Sequence, residues 1–438
     1  MSGRAMPTLR RFSYRVVGLI AVGSLLGLSA CAPEPDPTPE PSATATAAPE
    51  TPEPAAYDGP LVFVGDQLDW LLLSADEVAG IVPTSAEFAE PSASLVQISD
   101  GWGAEITPEI CSVLLMEASL GSVGARTLTW QAENDHEGRL SVLQFPTPAQ
   151  AERRMDDYVD AAERCSEFTF NQEASSFANA SIDEDGVRSV AGSVVIGDSA
   201  EGWKNYYGIA SVGNVLVEFT HSFTGESALD PEAAARALHD RLRQARDLLV
   251  GDLTANPPTS PAEPPAVDAS AAWADWPIDF GGVGPLRLGE DIDAVVATVP
   301  GAGVSAEEWS PNDRMLTSAD GSARIQITAQ EKGTAVATIL VGKVALYGEP
   351  PVDGTGLPRA DGVGIGDPIE KAMTAFPEGT SVRVISAALH FYEVSTREGE
   401  VLLFHTDRDI ATSGATIIGI TAEDGTLRRE LYIGAHLE

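Results

Sequence analysis

Two proline-rich stretches limit what this 438-residue chain can build. From Ala32 to Ala56 proline alternates with acidic and small residues, opening Pro33-Glu34-Pro35-Asp36-Pro37-Thr38-Pro39, and Thr254 to Ser270 carries Pro257-Pro258, Pro261 and Pro264-Pro265. Neither stretch can form a core, because proline removes backbone donors and the small polar residues bring too little apolar surface to offset chain entropy. The first favours extended polyproline II at ~3.1 Å per residue and reads as a stalk whose Thr and Ser residues could carry O-linked sugar. The second reads as a linker. What remains to fold is two segments, 57–252 and 273–438, each long enough for its own core.

The N-terminus sets the compartment. Arg4, Arg10, Arg11 and Arg15 form a cationic region ahead of an apolar run from Val16 to Leu28, too short to span a bilayer, which needs roughly 20 residues. The run ends in Leu28-Ser29-Ala30-Cys31, a lipobox, so residues 1–30 read as a signal peptide cleaved before Cys31. This segment resembles those of bacterial lipoproteins. The resemblance implies a thioether-linked diacylglycerol on Cys31, an acylated (palmitate) amino group, and a lipid anchor at the extracellular face of the cell membrane. Each buried methylene is worth ~0.8 kcal/mol, so two or three chains hold a protein without a transmembrane helix. The formal net charge of -38 repels phosphate backbones and anionic headgroups, which excludes nucleic acid as a partner and gives no polybasic membrane patch. With Cys31 lipidated, Cys111 and Cys165 remain as an even pair in an oxidising compartment and read as one disulfide.

Within 57–252, Ser74 and Glu77 form a capping box with Leu73 and Val78 placed as a staple. Thr107-Pro108 launches a helix through Ile110, Cys111 and Met116. Arg126 to Glu133 and Leu140 to Phe145 read as a hairpin around Asn134-Asp135-His136-Glu137-Gly138. Pro148 opens a helix with Ala151, Met155, Tyr158, Ala162 and Cys165 at helical spacing. Strands follow at Val187 to Ile196 and in a hairpin from Tyr206 to Phe219 that turns at Gly213-Asn214. A helix from Pro231 to Leu249 carries Leu238, Leu242, Ala245 and Leu249 on one stripe.

Leu71-Leu72-Leu73 before a capped helix, Pro108-Glu109-Ile110-Cys111, the strand ending Val142-Leu143-Gln144-Phe145, and an Ala-rich helix running to Cys165 together resemble the PknH-like extracellular sensor domain. That family includes the outer domain of a mycobacterial receptor kinase and many actinobacterial lipoproteins. The resemblance covers roughly residues 57–252. It implies a mixed α/β fold with an antiparallel sheet, a cleft for a small ligand and a Cys111 to Cys165 disulfide.

The C-terminal segment repeats itself. Leu286-Arg287-Leu288-Gly289-Glu290-Asp291-Ile292, with Val295-Val296 and Val299-Pro300-Gly301, matches Val363-Gly364-Ile365-Gly366-Asp367-Pro368-Ile369, with Ala372-Met373 and Phe376-Pro377. Each copy, about 273–348 and 349–438, places a glycine before a short helix and then strands. The strands are Arg324 to Gln330 and Ala335 to Val341 in the first copy, and Leu389 to Ser395, Val401 to His405 and Thr416 to Ile420 in the second. Gly289 and Gly366 are expected where backbone approach is close. The whole is an α+β chain: a sensor-like domain, a linker over 253–272, and a tandem repeat of helix-plus-antiparallel-sheet units. The repeat has a topological resemblance to beta-lactamase inhibitor protein, and the segment is expected to fold on its own.

Catalytic signatures are missing: HExxH, GxSxG, a Walker loop and CxxC do not occur. His136, His221, His239, His390, His405 and His436 are dispersed, and no thiol is left over for a nucleophile. Ser181-Ile182-Asp183-Glu184-Asp185-Gly186 starts like a calcium loop, but Gly192 stands where its bidentate glutamate belongs, so it reads as an acidic turn. No metal, cofactor or catalytic residue is assigned. Trp203, Tyr206 and Tyr207 are the candidate ligand-cleft aromatics. The expected function is a non-catalytic ligand-binding or sensor module at the envelope. A protein-interaction adaptor or inhibitor acting through the C-terminal repeats is the alternative, and a hydrolase the least supported reading.

Overall fold

The computed structural model describes residues 56–97, 104–132, 136–197, 203–225, 229–259, 266–307 and 310–428. Cys31, the signal peptide, almost all of the stalk and His436 lie outside the described residues. From the N-terminal side come α1 (Ala75–Ile81), β1 (Ser94–Gln97), β2 (Ile106–Thr107), β3 (Gly124–Gln131), β4 (Glu137–Gln144) and α2 (Pro148–Arg164). They are followed by β5 (Phe168–Phe170), β6 (Glu173–Glu184), β7 (Val187–Ile196), β8 (Trp203–Val212), β9 (Val215–Ser222) and α3 (Pro231–Ala255).

The helix starts follow from their caps. Ser74 and Glu77 close a reciprocal box at α1. The Thr147 side chain accepts from Gln150 N–H ahead of Pro148, and Asp230 accepts from the N–H groups of Glu232 and Ala233 ahead of Pro231. The stretch after Pro108 is a 3-10 helix, Glu109–Leu115, rather than an α-helix. The Cys111–Cys165 disulfide joins it to the C-cap of α2, with Cα atoms 5.7 Å apart. Closing a loop of this size constrains the unfolded chain by ~4 kcal/mol in the entropy model.

β2–β9 form an eight-stranded sheet ordered β2-β5-β6-β7-β8-β9-β4-β3, antiparallel throughout. Alternation along the strands sorts its two faces. Leu143, Val190, Val194, Tyr207, Ile209 and Leu216 share a core with Met155, Tyr158 and Ala161 of α2. Leu140, Val142, Ala191, Tyr206, Ala210 and Phe219 share another with Leu238, Leu242, Ala245 and Leu249 of α3. The strands expected from the sequence correspond to β3, β4, β7, β8 and β9; β2 and β5 are too short to show a pattern, and β6 starts on the small, polar Glu173-Ala174-Ser175-Ser176.

Beyond the linker lie β10 (Ile278–Asp279), β11 (Gly282–Val283), β12 (Leu286–Arg287), α4 (Ile292–Ala297), β13 (Gly303–Glu307), β14 (Ser310–Thr317), β15 (Arg324–Ala329) and β16 (Val336–Gly342). Then come α5 (Ile369–Ala375), β17 (Thr380–Val384), β18 (Leu389–Ser395), β19 (Glu400–Thr406) and β20 (Ile417–Asp424). The larger sheet runs β1-β17-β18-β19-β20-β16-β15-β14-β13, so two four-stranded meanders meet at β16 and β20. The two halves are entered alike. Gly289 N–H donates to Val336 and Gly366 N–H to Ile417, and the following helices start one turn later. Neither glycine is crowded where a Cβ would project; both have positive φ, +75° and +87°. Left-handed backbone, not close approach, is what requires glycine there.

The two foldable segments are one compact unit, Pro54–Glu438, because a single strap is shared between the sheets. Residues 86–92 pair with the outer edge of β3: Ala86 N–H donates to Gln131 at 2.7 Å, and Ser92 and Thr127 exchange bonds at 2.9 and 2.8 Å. The chain then continues as β1 and pairs in parallel with β17, Leu95 opposite Val382. Beside it the buried Thr380 hydroxyl accepts from Ala125 N–H at 2.9 Å. The apolar run Val401-Leu402-Leu403-Phe404 fits this arrangement: Leu402 and Phe404 join the helix-side core, whereas Val401 and Leu403 pack with Val123. It is a strand buried on both faces.

Thr380→Val keeps the side-chain shape and leaves Ala125 N–H without its buried partner, which should cost about 1–3 kcal/mol. Hydrogen exchange read at Ala125 should speed up accordingly, and an unchanged rate there would show that the contact does not hold the sheets together.

Candidate functional site

The three aromatics singled out in the sequence do not converge. Tyr206 and Tyr207 are successive residues of a strand, so their rings leave the sheet on opposite faces. Tyr206 stacks on Phe223 at 4.3 Å under α3, and Tyr207 stacks on Tyr158 of α2 at 5.9 Å. Both are buried, and Trp203 is 46% exposed at the start of β8. A shared cleft of these residues is therefore ruled out by the period of the strand. Tyr207 instead belongs to a buried polar layer beneath α2. Burial pushes Tyr158 up to about 12 and Tyr207 well above the usual phenol range, and each ring raises or lowers the other through their facing hydroxyls. Glu218 lies in the same layer, paired with Arg139 at 3.4 Å, and its carboxyl is raised by burial against the pull of that arginine.

The histidines are scattered. Burial, with His136 nearby, lowers His221 to about 4, and burial alone lowers His405 to about 4 where its ring meets the Thr421 hydroxyl at 2.9 Å. Both imidazoles are neutral at pH 7. Asp183 and Glu184 lie on β6 and only Asp185 and Gly186 make the turn, so the acidic run cannot wrap an ion as a calcium loop does. Among the described residues no three His, Cys, Asp or Glu side chains cluster as a metal site would need.

A cavity of about 320 Å³ opens where the strap passes between the sheets. Gln97 from the end of β1, Gly121 and Ser122 from the turn before β3, Val382 of β17, Phe391 and Glu393 of β18, and Arg428 line it. Phe391 and Glu393 are two apart in β18 and so share a face, away from Tyr392 and Val394. That places the Glu393 carboxylate, 3% exposed as a residue, in the seam. Arg428 reaches it at 3.2 Å, but the same guanidinium is held by Glu423 at 2.5 and 3.1 Å and donates to the Ser122 carbonyl at 2.6 Å. Burial raises Glu393 to about 7; Arg428 opposes the shift and Glu423 adds to it. None of these residues stands out in the sequence as a site residue. The one signal present was a glutamate inside the apolar strand run Phe391-Tyr392-Glu393-Val394.

Residues 64–241 match the family described as the PknH-like extracellular domain. This part of the chain is similar to that family. The match spans the eight-stranded sheet, α2 and the start of α3. The crystal structure of the extracellular domain of PknH from Mycobacterium tuberculosis aligns at 17% identity and a TM-score of 0.31, over 42% of this chain and 100% of that one. An uncharacterised protein from Mycobacterium smegmatis aligns at 14% identity and a TM-score of 0.28, over 42% of this chain and 97% of that one. No curated protein matches the chain at a significant level. Gln97, Gly121 and Ser122 of the cavity lie within the PknH-like domain, and the other four lining residues lie outside it.

The raised Glu393 carboxyl makes stability depend on pH. From 4.5, the ordinary value, up to about 7 the folded protein holds a proton that the unfolded chain has released, so stability falls as pH rises through that window. The loss amounts to up to about 3 kcal/mol and is complete above the folded value. Glu393→Gln should be more stable than the parent at pH 8 and equal to it near pH 4.5. Denaturant unfolding at the two pH values checks this, and parallel curves for both proteins would contradict it.

Proposed function

We propose that the chain is a lipid-anchored, non-catalytic sensor of the outer cell envelope that binds a small ligand in the seam cavity. The observation that carries this reading is the cavity itself: it lies where the PknH-like domain meets the C-terminal sheet, and its volume is at the lower end of the ~300–1,000 Å³ typical of ligand sites. It combines apolar walls, Val382 and Phe391, with a few converging polar groups, as ligand sites do. Occupancy would be felt by both sheets, because β17 and β18 contribute to the wall and β17 also pairs with the strap. Cys31 at the end of its lipobox supports the anchor, and the proline stalk supports presentation away from the membrane.

Val382→Phe should fill the cavity. Ligand-observed NMR with a mixed fragment set should then show the parent binding a subset of fragments and the variant losing that subset; a hit set unaffected by filling would place binding elsewhere. For the anchor, Cys31→Ser should abolish lipidation, and mass spectrometry of the membrane fraction should find no acylated chain. An acylated or membrane-retained variant would remove Cys31 from that role.

A further inference from the structure

The carboxylate in the wall of the seam cavity shares its cation with a second carboxylate behind it. Glu393 and Glu423 share one guanidinium, and Glu423 takes the stronger part of it through two contacts at 2.5 and 3.1 Å. Ser122 carbonyl occupies another of its nitrogens. Glu393 is left with a single 3.2 Å bond from Arg428, which is also the only cationic residue in the cavity wall. A buried carboxylate that is under-paired is costly, and the cost is relieved by a proton or by an incoming positive charge. Next to it Phe391 and Val382 offer an apolar surface, and the face of an aromatic ring attracts a cation.

We propose that the cavity takes a compact organic ammonium ligand, its charged nitrogen on Glu393 and its apolar body against Phe391 and Val382. The proposal rests on the reading of the cavity as a ligand site and adds its chemical class. An anionic ligand would add to the negative charge there. A neutral one would leave the Glu393 carboxylate with its single bond from Arg428. An ammonium supplies what is missing and displaces the proton, so its affinity is coupled to pH. The charged groups facing Glu393 are Arg428 and Glu423, and Arg428, raised by these two carboxylates despite its burial, stays charged.

Isobutylammonium, isobutanol and isobutyrate titrated into the full chain in detergent, by calorimetry at pH 6 and pH 8, test the inference. The ammonium should bind more tightly than the alcohol at pH 8, weaken by about tenfold at pH 6 where Glu393 is mostly protonated, and fall to the alcohol's affinity in Glu393→Gln. Isobutyrate should not bind. Should Glu393→Gln not fold, the contrast between pH 8 and pH 6 in the parent decides the matter. Equal binding of ammonium and alcohol at pH 8, both lost in Val382→Phe, overturns the ammonium class and leaves the cavity as a ligand site. Failure of all three probes overturns the ammonium proposal, and failure of the fragment set as well removes the ligand-binding reading beneath it.

Discussion

The backbone of residues 86–97 is shared between two sheets, and most of what distinguishes this protein depends on that. A strand's donors and acceptors must be paired when they are buried. Here the first part of the segment pairs with β3 and the second with β17, which lies on the far side of a proline linker in sequence. Once those bonds are made, β17 and β18 are fixed against the turn before β3. Phe391, Glu393 and Val382 then face Gln97 and Ser122. The cavity is a consequence of a strand changing partners: two twisted sheets joined by one strap cannot close perfectly along their common edge.

Glu393 is the cost of that geometry. In an isolated β18 its side of the strand would face water, but the strap brings the PknH-like domain over it and leaves it 3% exposed. Arg428 comes from the turn just after β20 and spans the seam, tying Glu393 and Glu423 of the C-terminal sheet to the Ser122 carbonyl of the N-terminal part. Losing that arginine would leave two buried carboxylates unpaired, a defect of the kind that costs several kcal/mol. The ion cluster is therefore better understood as fixing how the two parts meet than as a net source of stability.

Local chemistry was legible in the sequence wherever a short-range rule governs. The capping box at Ser74 and the prolines Pro148 and Pro231 announced α1, α2 and α3, and the leftover pair Cys111 and Cys165 announced the disulfide. The period of two should also have separated Tyr206 from Tyr207, and reading them as one cluster ignored it. The β1–β17 pairing was not legible. Ser94-Leu95-Val96-Gln97 is too short to show a pattern, and its partner lies hundreds of residues away, where no local propensity can point. The run Val401-Leu402-Leu403-Phe404 was the one trace of it, since a strand apolar on both sides demands a cover on both sides.

That cover has a consequence for signalling. An element that reports ligand must touch both the ligand and a structure whose equilibrium the ligand can bias. β18 does both: Phe391 and Glu393 face the cavity, while Tyr392, between them, donates its hydroxyl to the Phe376 carbonyl just after α5 at 2.5 Å and accepts from Gly379 N–H. A change in charge at Glu393 is thus one residue away from the bonds that seat α5 against the sheet. Sub-ångström shifts in packed layers are resolved as discrete rearrangements because cores do not deform continuously. The bonds that seat the end of α5 therefore lie on the face of β18 turned away from the cavity.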